Sequence, residues 1–353
     1  MDINELLVHM IARQASDLYV KPEAPPTLRI AGQFAPIGED ALSHEEVGEL
    51  AAQLMQPRHV KEFEERQQVN LAYYTPTLGR YRVNIYMQRS VPAIVIRRIR
   101  TDIPTFEELR LPRAVADLAL APRGLVLVTG PAGSGKSTTL ATMIDHRNRN
   151  IPGHIVTIED PIEFMHTDQR SLVSQREVGT DCDSFAAALR DALRQTPDVI
   201  LIGEMRDADS AEAAVHFAET GHLVLTTLHS TNASQAIERI LHFFPAELHD
   251  DIQLQFSLNL IGVLSQRLVP RRDKDGLVLA LELMLATPHI RDLLRKGQIP
   301  QIRTAIQSGG QEGMQTFDQA VYALIKERLI DPETGLQFAD SPNDVRLKLR
   351  GLI

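Results

Sequence analysis

The sequence predicts an α/β fold with a mostly parallel sheet in its larger, C-terminal part and a smaller α+β domain before it. From Gly124 onwards, short apolar runs alternate with helical patterns, as expected for buried parallel strands joined by helices. The residues before about 100 instead combine one amphipathic helical pattern with several short strand-like runs. We therefore expect domains at residues 1–100 and 113–353, joined by a proline-flanked linker at 101–112.

Turn signals and periodicity place the elements of the first domain. Strands are predicted at residues 18–20, 28–30, 71–74 and 80–86, after an opening helix with apolar residues at helical spacing, Ile3, Leu6, Leu7, Met10 and Ile11. Ser43 followed by Glu46 forms a capping-box pattern, which predicts a second helix through Met55.

The second domain is predicted to alternate strands and helices up to about residue 230. Strands are expected at 125–129, 154–158, 199–202 and 223–228, and helices at 137–148, 185–195 and 208–220. Beyond about residue 235 the pattern predicts a mainly helical region. The sequence contains no internal repeat and no low-complexity segment.

Composition limits the possible classes of function. The formal net charge is −9 over 353 residues, which disfavours nucleic acid as the main partner, because proteins that neutralise phosphates are usually basic. Cys182 is the only cysteine, which excludes an intrachain disulfide and a cysteine-rich zinc site. No stretch resembles a signal peptide or a run of about 18 apolar residues, so we expect a cytoplasmic protein.

A glycine-rich segment follows the first predicted strand of the second domain. Its residues, GPAGSGKS, match the pattern G-x-x-x-x-G-K-[ST] in full, between a predicted strand and a predicted helix. Glycines let successive backbone N–H groups turn towards phosphate oxygens, and the helix start adds a positive dipole end. Lys136 supplies a charge for the β- and γ-phosphates, and the Ser137 hydroxyl completes the shell of Mg²⁺. The predicted ATP-binding residues are Gly130, Pro131, Ala132, Gly133, Ser134, Gly135, Lys136, Ser137 and Thr138.

Two acidic segments are candidates for the chemistry of this site. The segment DVILIGE ends in Glu204, whose carboxylate can hold a metal-bound water if its strand lies next to the strand of the phosphate loop. The segment IVTIEDPIEF carries Glu159 and Glu163, and one of these can act as general base for the attacking water. Without the phosphate loop, both segments would be ordinary solvated turns, and the sequence leaves open which carboxylate is the base.

Two histidines flank the last of these strands, in the segment HLVLTTLH. His222 and His229 are candidates for sensing the γ-phosphate at a strand end. The alternative is that each is a hydrogen-bonded core or edge residue, which is the usual role of a single histidine. Their spacing from acidic residues does not match a zinc site.

Together, these four motifs resemble the secretion-type ATPases that drive type IV pili and type II secretion. In that family they are the Walker A, Asp box, Walker B and His box motifs, and the resemblance covers nearly the whole chain. GMQTFDQAVY at 313–322 and the lack of a tetracysteine insertion resemble the retraction branch, PilT and PilU. The stretches at 217–245 and 339–350 favour the PilU type, whereas HIRDLLRK at 289–296 departs from the AIRNLIRE-like segment of PilT.

The resemblance implies a RecA-like C-terminal domain, a PAS-like N-terminal domain and a ring of six chains with ATP and Mg²⁺ bound between domains. It implies that Arg82 and Arg97 of the first domain approach the phosphates, although a salt-bridged strand surface is the alternative for both. The implied function is ATP-driven pilus retraction at the cytoplasmic side of the inner membrane. The expected partners are a platform protein in that membrane and a paralogous retraction ATPase.

Three other interpretations remain open at this point. A ring ATPase of another secretion or pilus-assembly machine would share the same chemistry. A nucleic-acid translocase is disfavoured by the acidic charge and by the 5% aromatic content, because strand-binding proteins stack bases on aromatic rings. A binding switch with little turnover would not need Glu159, Glu163 and Glu204.

Overall fold

The structure is a computed structural model that describes residues 2–273 and 276–352. The chain forms two compact units, residues 1–101 and 102–353. No helix in the described ranges combines the length and the apolar character that a membrane crossing requires.

The first unit is an antiparallel sheet covered by helices. Its elements are α1 (Ile3–Ala12), β1 (Asp17–Val20), β2 (Thr27–Ile30), β3 (Gln33–Pro36), α2 (His44–Leu54), α3 (Pro57–Arg66), β4 (Gln68–Thr75), β5 (Gly79–Gln88) and β6 (Val91–Arg98). The strand order is β3-β2-β1-β6-β5-β4, so the first and last strands are neighbours at the centre. The capping box predicted for α2 is present: Ser43 and Glu46 exchange hydrogen bonds between side chain and backbone.

Three elements of the first unit were not expected from its sequence: β3, α3 and β6. Helix α3 contains only two large apolar residues, Val60 and Phe63, so its apolar spacing gives little signal. Strand β6 supplies Ile94 and Ile96 to a core that also contains Leu7, Met10 and Leu18. This core holds the sheet and α1 together.

The second unit is an α/β sheet with helices on both sides. Its elements are α4 (Arg113–Ala119), β7 (Gly124–Thr129), α5 (Lys136–Asn150), β8 (Gly153–Glu159), β9 (Ser171–Glu177), α6 (Phe185–Ala192), β10 (Val199–Ile202), α7 (Ala208–Glu219), β11 (Leu223–Leu228), α8 (Ala233–Leu241), α9 (His249–Asn259), β12 (Leu260–Pro270), β13 (Leu277–Leu285), α10 (Pro288–Arg295), α11 (Ile302–Ser308), α12 (Phe317–Lys326), α13 (Pro332–Phe338) and α14 (Pro342–Leu349). The strand order is β13-β12-β7-β11-β10-β8-β9. Every neighbouring pair is parallel except β12 and β13.

The prediction of a mainly helical region beyond about residue 235 is wrong for residues 260–285. This stretch contains the antiparallel pair β12 and β13, which extends the sheet on the far side of β7. The error has a physical reason: both strands are rich in leucine, which favours helices as readily as buried strands, so the apolar run does not decide between the two.

The order of the central strands also corrects the sequence analysis. The strand that leads to Glu204, β10, does not lie next to β7, because β11 is inserted between them. The carboxyl ends of all three parallel strands nevertheless meet at one edge of the sheet, where functional loops of α/β folds gather.

Much of the segment predicted as a linker packs on the second unit. Phe106 and Leu111 are buried in its core, and the Thr142 hydroxyl of α5 donates a hydrogen bond to the Pro104 carbonyl (2.8 Å). The Phe106 ring also meets the His146 ring of α5 edge-on, with centroids 5.0 Å apart. The chain from residue 104 to 111 is therefore attached to the helix that begins at the phosphate loop.

Candidate nucleotide site

The glycine-rich loop connects the end of β7 to the start of α5. Gly130, Gly133 and Gly135 all have positive φ, at 148°, 76° and 89°, which side-chain-bearing residues rarely adopt. A Cβ atom on Gly130 would lie 2.4 Å from the Ser134 Oγ atom and 2.6 Å from the Gln266 carbonyl oxygen of β12. The loop is therefore packed directly against β12, and only glycine fits at its first position.

Lys136 bends back over this loop. Its Nζ donates to the carbonyl oxygens of Gly130 (2.9 Å) and Pro131 (3.0 Å). Burial lowers the pKa of Lys136, and the nearby charges of Glu204 and Glu163 oppose that shift. Residues from three separate loops thus contact the buried ammonium group of Lys136 or influence its pKa.

The loop fits a phosphate group. The hydroxyl oxygens of Ser134 and Thr129 are buried and have no hydrogen-bond partner among the described residues. The first backbone N–H groups of α5 point out of the helix and lack intrahelical acceptors, which makes this end favourable for an anion. Ser137 and Thr138 are half-buried in that first turn. The predicted binding residues therefore lie together in one loop and the first turn of α5, and their binding of nucleotide stays a prediction.

Glu159, the last residue of β8, and Glu163, which follows it, differ in burial and in hydrogen bonding. Glu159 accepts hydrogen bonds from the Thr157 hydroxyl (2.7 Å), the Gln175 amide (3.2 Å) and the backbone N–H of Glu163. Burial raises the pKa of Glu159. Glu163 is exposed and close enough to Lys136 to influence it. Glu159 is therefore engaged inside the turn, whereas the Glu163 carboxylate is available to solvent.

Glu204 is held by the ends of two neighbouring strands. The backbone before it is fixed because Gly203 N–H donates to the Ile158 carbonyl (2.8 Å) and Thr227 Oγ1 donates to the Gly203 carbonyl (2.7 Å). The Glu204 carboxylate accepts a hydrogen bond from Arg206 Nε (2.7 Å) and lies 3.3 Å from His229 Nε2. Glu204 therefore lies near Lys136 and His229 although its strand is not adjacent to β7. We refer to Lys136, Glu163, Glu204 and His229, with their hydrogen-bond partners, as the cluster.

The structure separates the two histidines of the His box. His229 follows the carboxyl end of β11 and contacts Glu204. His222 precedes the other end of β11, roughly 20 Å away along the strand, where its ring contacts Phe217 and its Nδ1 lies 2.9 Å from the Phe217 carbonyl. Of the two histidines, His229 therefore lies beside Glu204 and His222 lies at the opposite end of the strand, and a role for His222 at the nucleotide site stays a prediction.

The two arginines named from the first domain lie in the first unit. Arg82 on β5 and Arg97 on β6 are cross-strand partners, and such partners project from the same face of a sheet. Arg97 Nε also forms a salt bridge with the Asp17 carboxylate (2.7 Å). Their predicted contact with phosphate stays a prediction.

Two residues of the cluster were missed in the sequence. Arg206 binds Glu204 and lies 3.6 Å from the Asp160 carboxylate, and Gln175 bonds to Glu159 and to the Phe164 carbonyl (2.9 Å). Arg206 could have been found, because it comes two residues after Glu204. Gln175 lies on β9, whose pairing with β8 no local pattern predicts.

A magnesium ion would have few protein ligands here. No group of three or more His, Cys, Asp or Glu side chains in the described ranges could hold a metal ion. Magnesium in nucleotide sites typically uses one or two protein oxygens, with phosphates and waters completing its shell. The Ser137 hydroxyl and the Glu204 carboxylate suit that role.

Comparison with known proteins identifies the family. The family model described as "Type II/IV secretion system protein" matches residues 1–296. The chain belongs to this family. It is 45% identical to the type IV pilus ATPase PilU of Pseudomonas aeruginosa, over 99% of this chain and 92% of PilU. It is 42% identical to the type IV pilus retraction ATPase PilT of the same organism, over 98% of this chain and 100% of PilT.

The solved structures agree with the sequence relatives. The chain matches the crystal structure of the pilus retraction motor PilT with bound ADP at a TM-score of 0.91, with 40% identity and 98% of each chain covered. Within the secretion family, the chain is therefore a pilus ATPase of the PilT/PilU type.

A buried carboxyl lies on β13, the strand that pairs with β12. Glu282 of β13 is 2% exposed, and its Oε1 accepts a hydrogen bond from the backbone N–H of Ala233 (2.8 Å), the first residue of α8. Burial raises the pKa of Glu282 to about 7. The folded protein therefore binds this proton more tightly than the unfolded chain, whose carboxyl titrates near 4.5.

This shift predicts a pH-dependent stability. The raised pKa of Glu282 contributes to the free energy of unfolding. This contribution is fully present below about pH 4.5 and is lost as pH rises through about 7, because deprotonation leaves a buried charge. We expect Glu282→Gln, which stays neutral, to gain thermal stability relative to the wild type as pH increases from 5 to 8. Thermal unfolding midpoints of both proteins at four pH values would measure this. A difference that does not change with pH would contradict it.

Proposed function

We propose that this chain is an ATP-hydrolysing motor that powers the retraction of type IV pili. The observation that carries the proposal is the meeting of Lys136, Glu163, Glu204 and His229 at one edge of the sheet, in a chain 45% and 42% identical to PilU and PilT over nearly its full length. A nucleoside triphosphate site with a free carboxylate supports hydrolysis over binding alone.

The residues have distinct roles in the proposed reaction. The loop N–H groups and Lys136 bind the phosphates and stabilise charge on the transferring group. Ser137 and Glu204 would hold Mg²⁺, which neutralises phosphate charge when bound. Glu163 accepts a proton from water, whose oxygen attacks the γ-phosphorus; the bond to the bridging oxygen breaks, giving ADP and phosphate. Glu159 holds the Glu163 backbone in place, and Arg206 holds the Glu204 carboxylate.

The wider assembly is part of the proposal. We interpret the second unit as RecA-like and the first as PAS-like; the central position of its first and last strands, with helices α2 and α3 inserted before β4, supports this. Six chains would form a ring at the cytoplasmic face of the inner membrane, bound to a platform protein and to a paralogous retraction ATPase. Nucleic acid is not an expected partner.

Removal of the loop lysine tests the phosphate site. Lys136→Ala should lower ATP hydrolysis at least about 100-fold, because the charge that stabilises the transferring phosphoryl group is lost. In a deletion strain, this variant should fail to restore twitching and should leave excess surface pili. Lys61→Ala, an exposed lysine of α3, is the control and should behave as wild type. Wild-type hydrolysis by Lys136→Ala would rule out this site.

The two glutamates at and after the end of β8, Glu159 and Glu163, provide a matched pair of variants. Glu163→Gln should lower kcat by about 10²–10⁴-fold with little change in the KM for ATP, because the general base is lost. Glu159→Gln should lower kcat less and should lower the thermal unfolding midpoint, because its contacts are internal. Steady-state kinetics and thermal unfolding of both variants would separate them. The reverse order of kcat losses would assign the base to Glu159.

The proposed ring predicts dependence on assembly. If Arg97 contributes to hydrolysis, Arg97→Ala should lower kcat more than it weakens ADP binding, since its charge is needed most during phosphoryl transfer. Arg29→Ala, on β2, which pairs with β1 in the same sheet, is the control. Specific activity should rise with protein concentration as rings form, measured alongside light scattering. Full activity in a monomer would contradict the ring mechanism.

A further inference from the structure

The exposed carboxylate of Glu163 lies in an irregular segment between β8 and β9. Its two neighbours in the chain, Ile162 and Phe164, are 2% and 5% exposed. Their burial sets the depth of the segment, but a general base must also point in a fixed direction, because proton transfer depends on the geometry to the attacking water. Hydrogen bonds to the segment are the interactions that can set this direction.

One side chain of β9 binds this segment at three points. Gln175 Nε2 donates to Glu159 Oε1 (3.2 Å) and to the Phe164 carbonyl (2.9 Å), and Gln175 Oε1 accepts from the backbone N–H of His166 (2.8 Å). The Glu159 carboxylate in turn accepts from the backbone N–H of Glu163. Gln175 therefore acts on both sides of Glu163: on its N–H group through Glu159, and directly on the carbonyl of the next residue.

These three contacts require a long primary amide. A primary amide carries two N–H donors and one acceptor oxygen, and Gln175 uses both donors and the oxygen. A carboxylate at this position would keep the acceptor, lose both donors and repel Glu159. No other uncharged side chain of this length offers two donors and an acceptor.

A second amide holds the later part of the same loop. Asn148 of α5 is 0% exposed, its Nδ2 donates to the Thr167 carbonyl (2.8 Å), and its Oδ1 accepts from the Gln169 N–H (3.1 Å). These contacts begin after residue 166, so they fix the approach to β9 and not the segment around Glu163. Among the two amides, Gln175 is the one that orients Glu163.

We propose that Gln175 is a positioning residue for ATP hydrolysis, which acts through Glu163 by fixing the direction of its carboxylate. This inference rests on the proposed function, in which Glu163 accepts the proton of the attacking water. It assigns a role in turnover to β9, which lies outside the four sequence motifs of the site. Gln175 should therefore affect the chemical step and not the binding of nucleotide.

The first test separates turnover from binding in the full chain. Gln175→Ala should lower kcat by about 10- to 100-fold, because a displaced base is poorly aligned with its water. The KM for ATP and the affinity for ADP with Mg²⁺, measured by calorimetry, should stay within about twofold of wild type. Gln169→Ala, at an exposed glutamine of the same loop that binds Asn148 through its backbone, is the matched control. Parallel losses of kcat and ADP affinity in Gln175→Ala would overturn the positioning role.

The second test asks whether Gln175 acts through Glu163. In a Glu163→Gln background, Gln175→Ala should lower kcat further by less than about twofold, because a residue that only orients the base has little left to orient. A purely structural role would instead multiply the two losses, and that result would overturn the inference.

The third test uses a variant of nearly the same shape, Gln175→Glu. Its carboxyl lies beside Glu159, and two carboxyls at hydrogen-bond distance cannot readily both ionise, so the pair should keep a proton that replaces one lost donor. The kcat of this variant relative to wild type should rise at least about threefold between pH 8.5 and pH 6, whereas that of Gln175→Ala should stay constant. Burial lowers the pKa of His166 to about 4, so this histidine stays neutral over the range.

The outcomes distinguish this inference from the proposed function. A ratio for Gln175→Glu that does not change with pH, or wild-type kcat in both Gln175 variants, would overturn the inference while leaving the nucleotide site intact. If Glu163→Gln hydrolyses ATP like the wild type, Glu163 is not the base and the inference fails with that assignment. If the wild type hydrolyses no ATP, the proposed function itself is wrong.

Discussion

The passage of β12 directly behind the phosphate loop is the constraint on which the site depends. The Gln266 carbonyl leaves no room for a Cβ atom at Gly130, and the Gln266 side chain donates to Thr139 of α5 (2.6 Å). The next residue, Arg267, holds the C-terminal segment by donating a hydrogen bond to the last residue of α13, and Leu268 lines a cleft beside the loop. Three consecutive residues of one strand therefore contact the loop, hold the C-terminal segment and line the cleft beside the loop.

Charge balance explains why the carboxylates are arranged around a buried lysine. Glu163 and Glu204 would repel an anionic ligand if they stood alone at this edge of the sheet. The charges of both act on Lys136, and Arg206 pairs with the Glu204 carboxylate. The cluster therefore mixes positive and negative groups, so that phosphate oxygens, a metal ion and a proton acceptor can occupy one small volume.

The sequence predicts those parts of the fold and of the site that depend on neighbouring residues in the chain. The phosphate loop, the capping box of α2 and four of the five parallel strands up to Leu228 follow from short-range patterns, and the structure has them; β9 was not predicted. Long-range pairing was not accessible: β11 lies between β7 and β10, and Gln175 reaches Glu159 only because β9 pairs with β8. The sequence already placed His222 and His229 at opposite ends of one strand, but only the contact of His229 with Glu204 shows which of them lies beside the carboxylates.

The attachment of residues 104–106 to α5 has a mechanical consequence. Thr142 and His146 lie one to three turns along the helix whose first residue is Lys136, and an α-helix rises about 1.5 Å per residue. The phosphate end and the attached chain are thus separated by about 10–15 Å of a single stiff rod. A displacement of the chain near Pro104 would therefore be carried by one helix to the phosphate loop, which couples the position of this segment to the proposed nucleotide site.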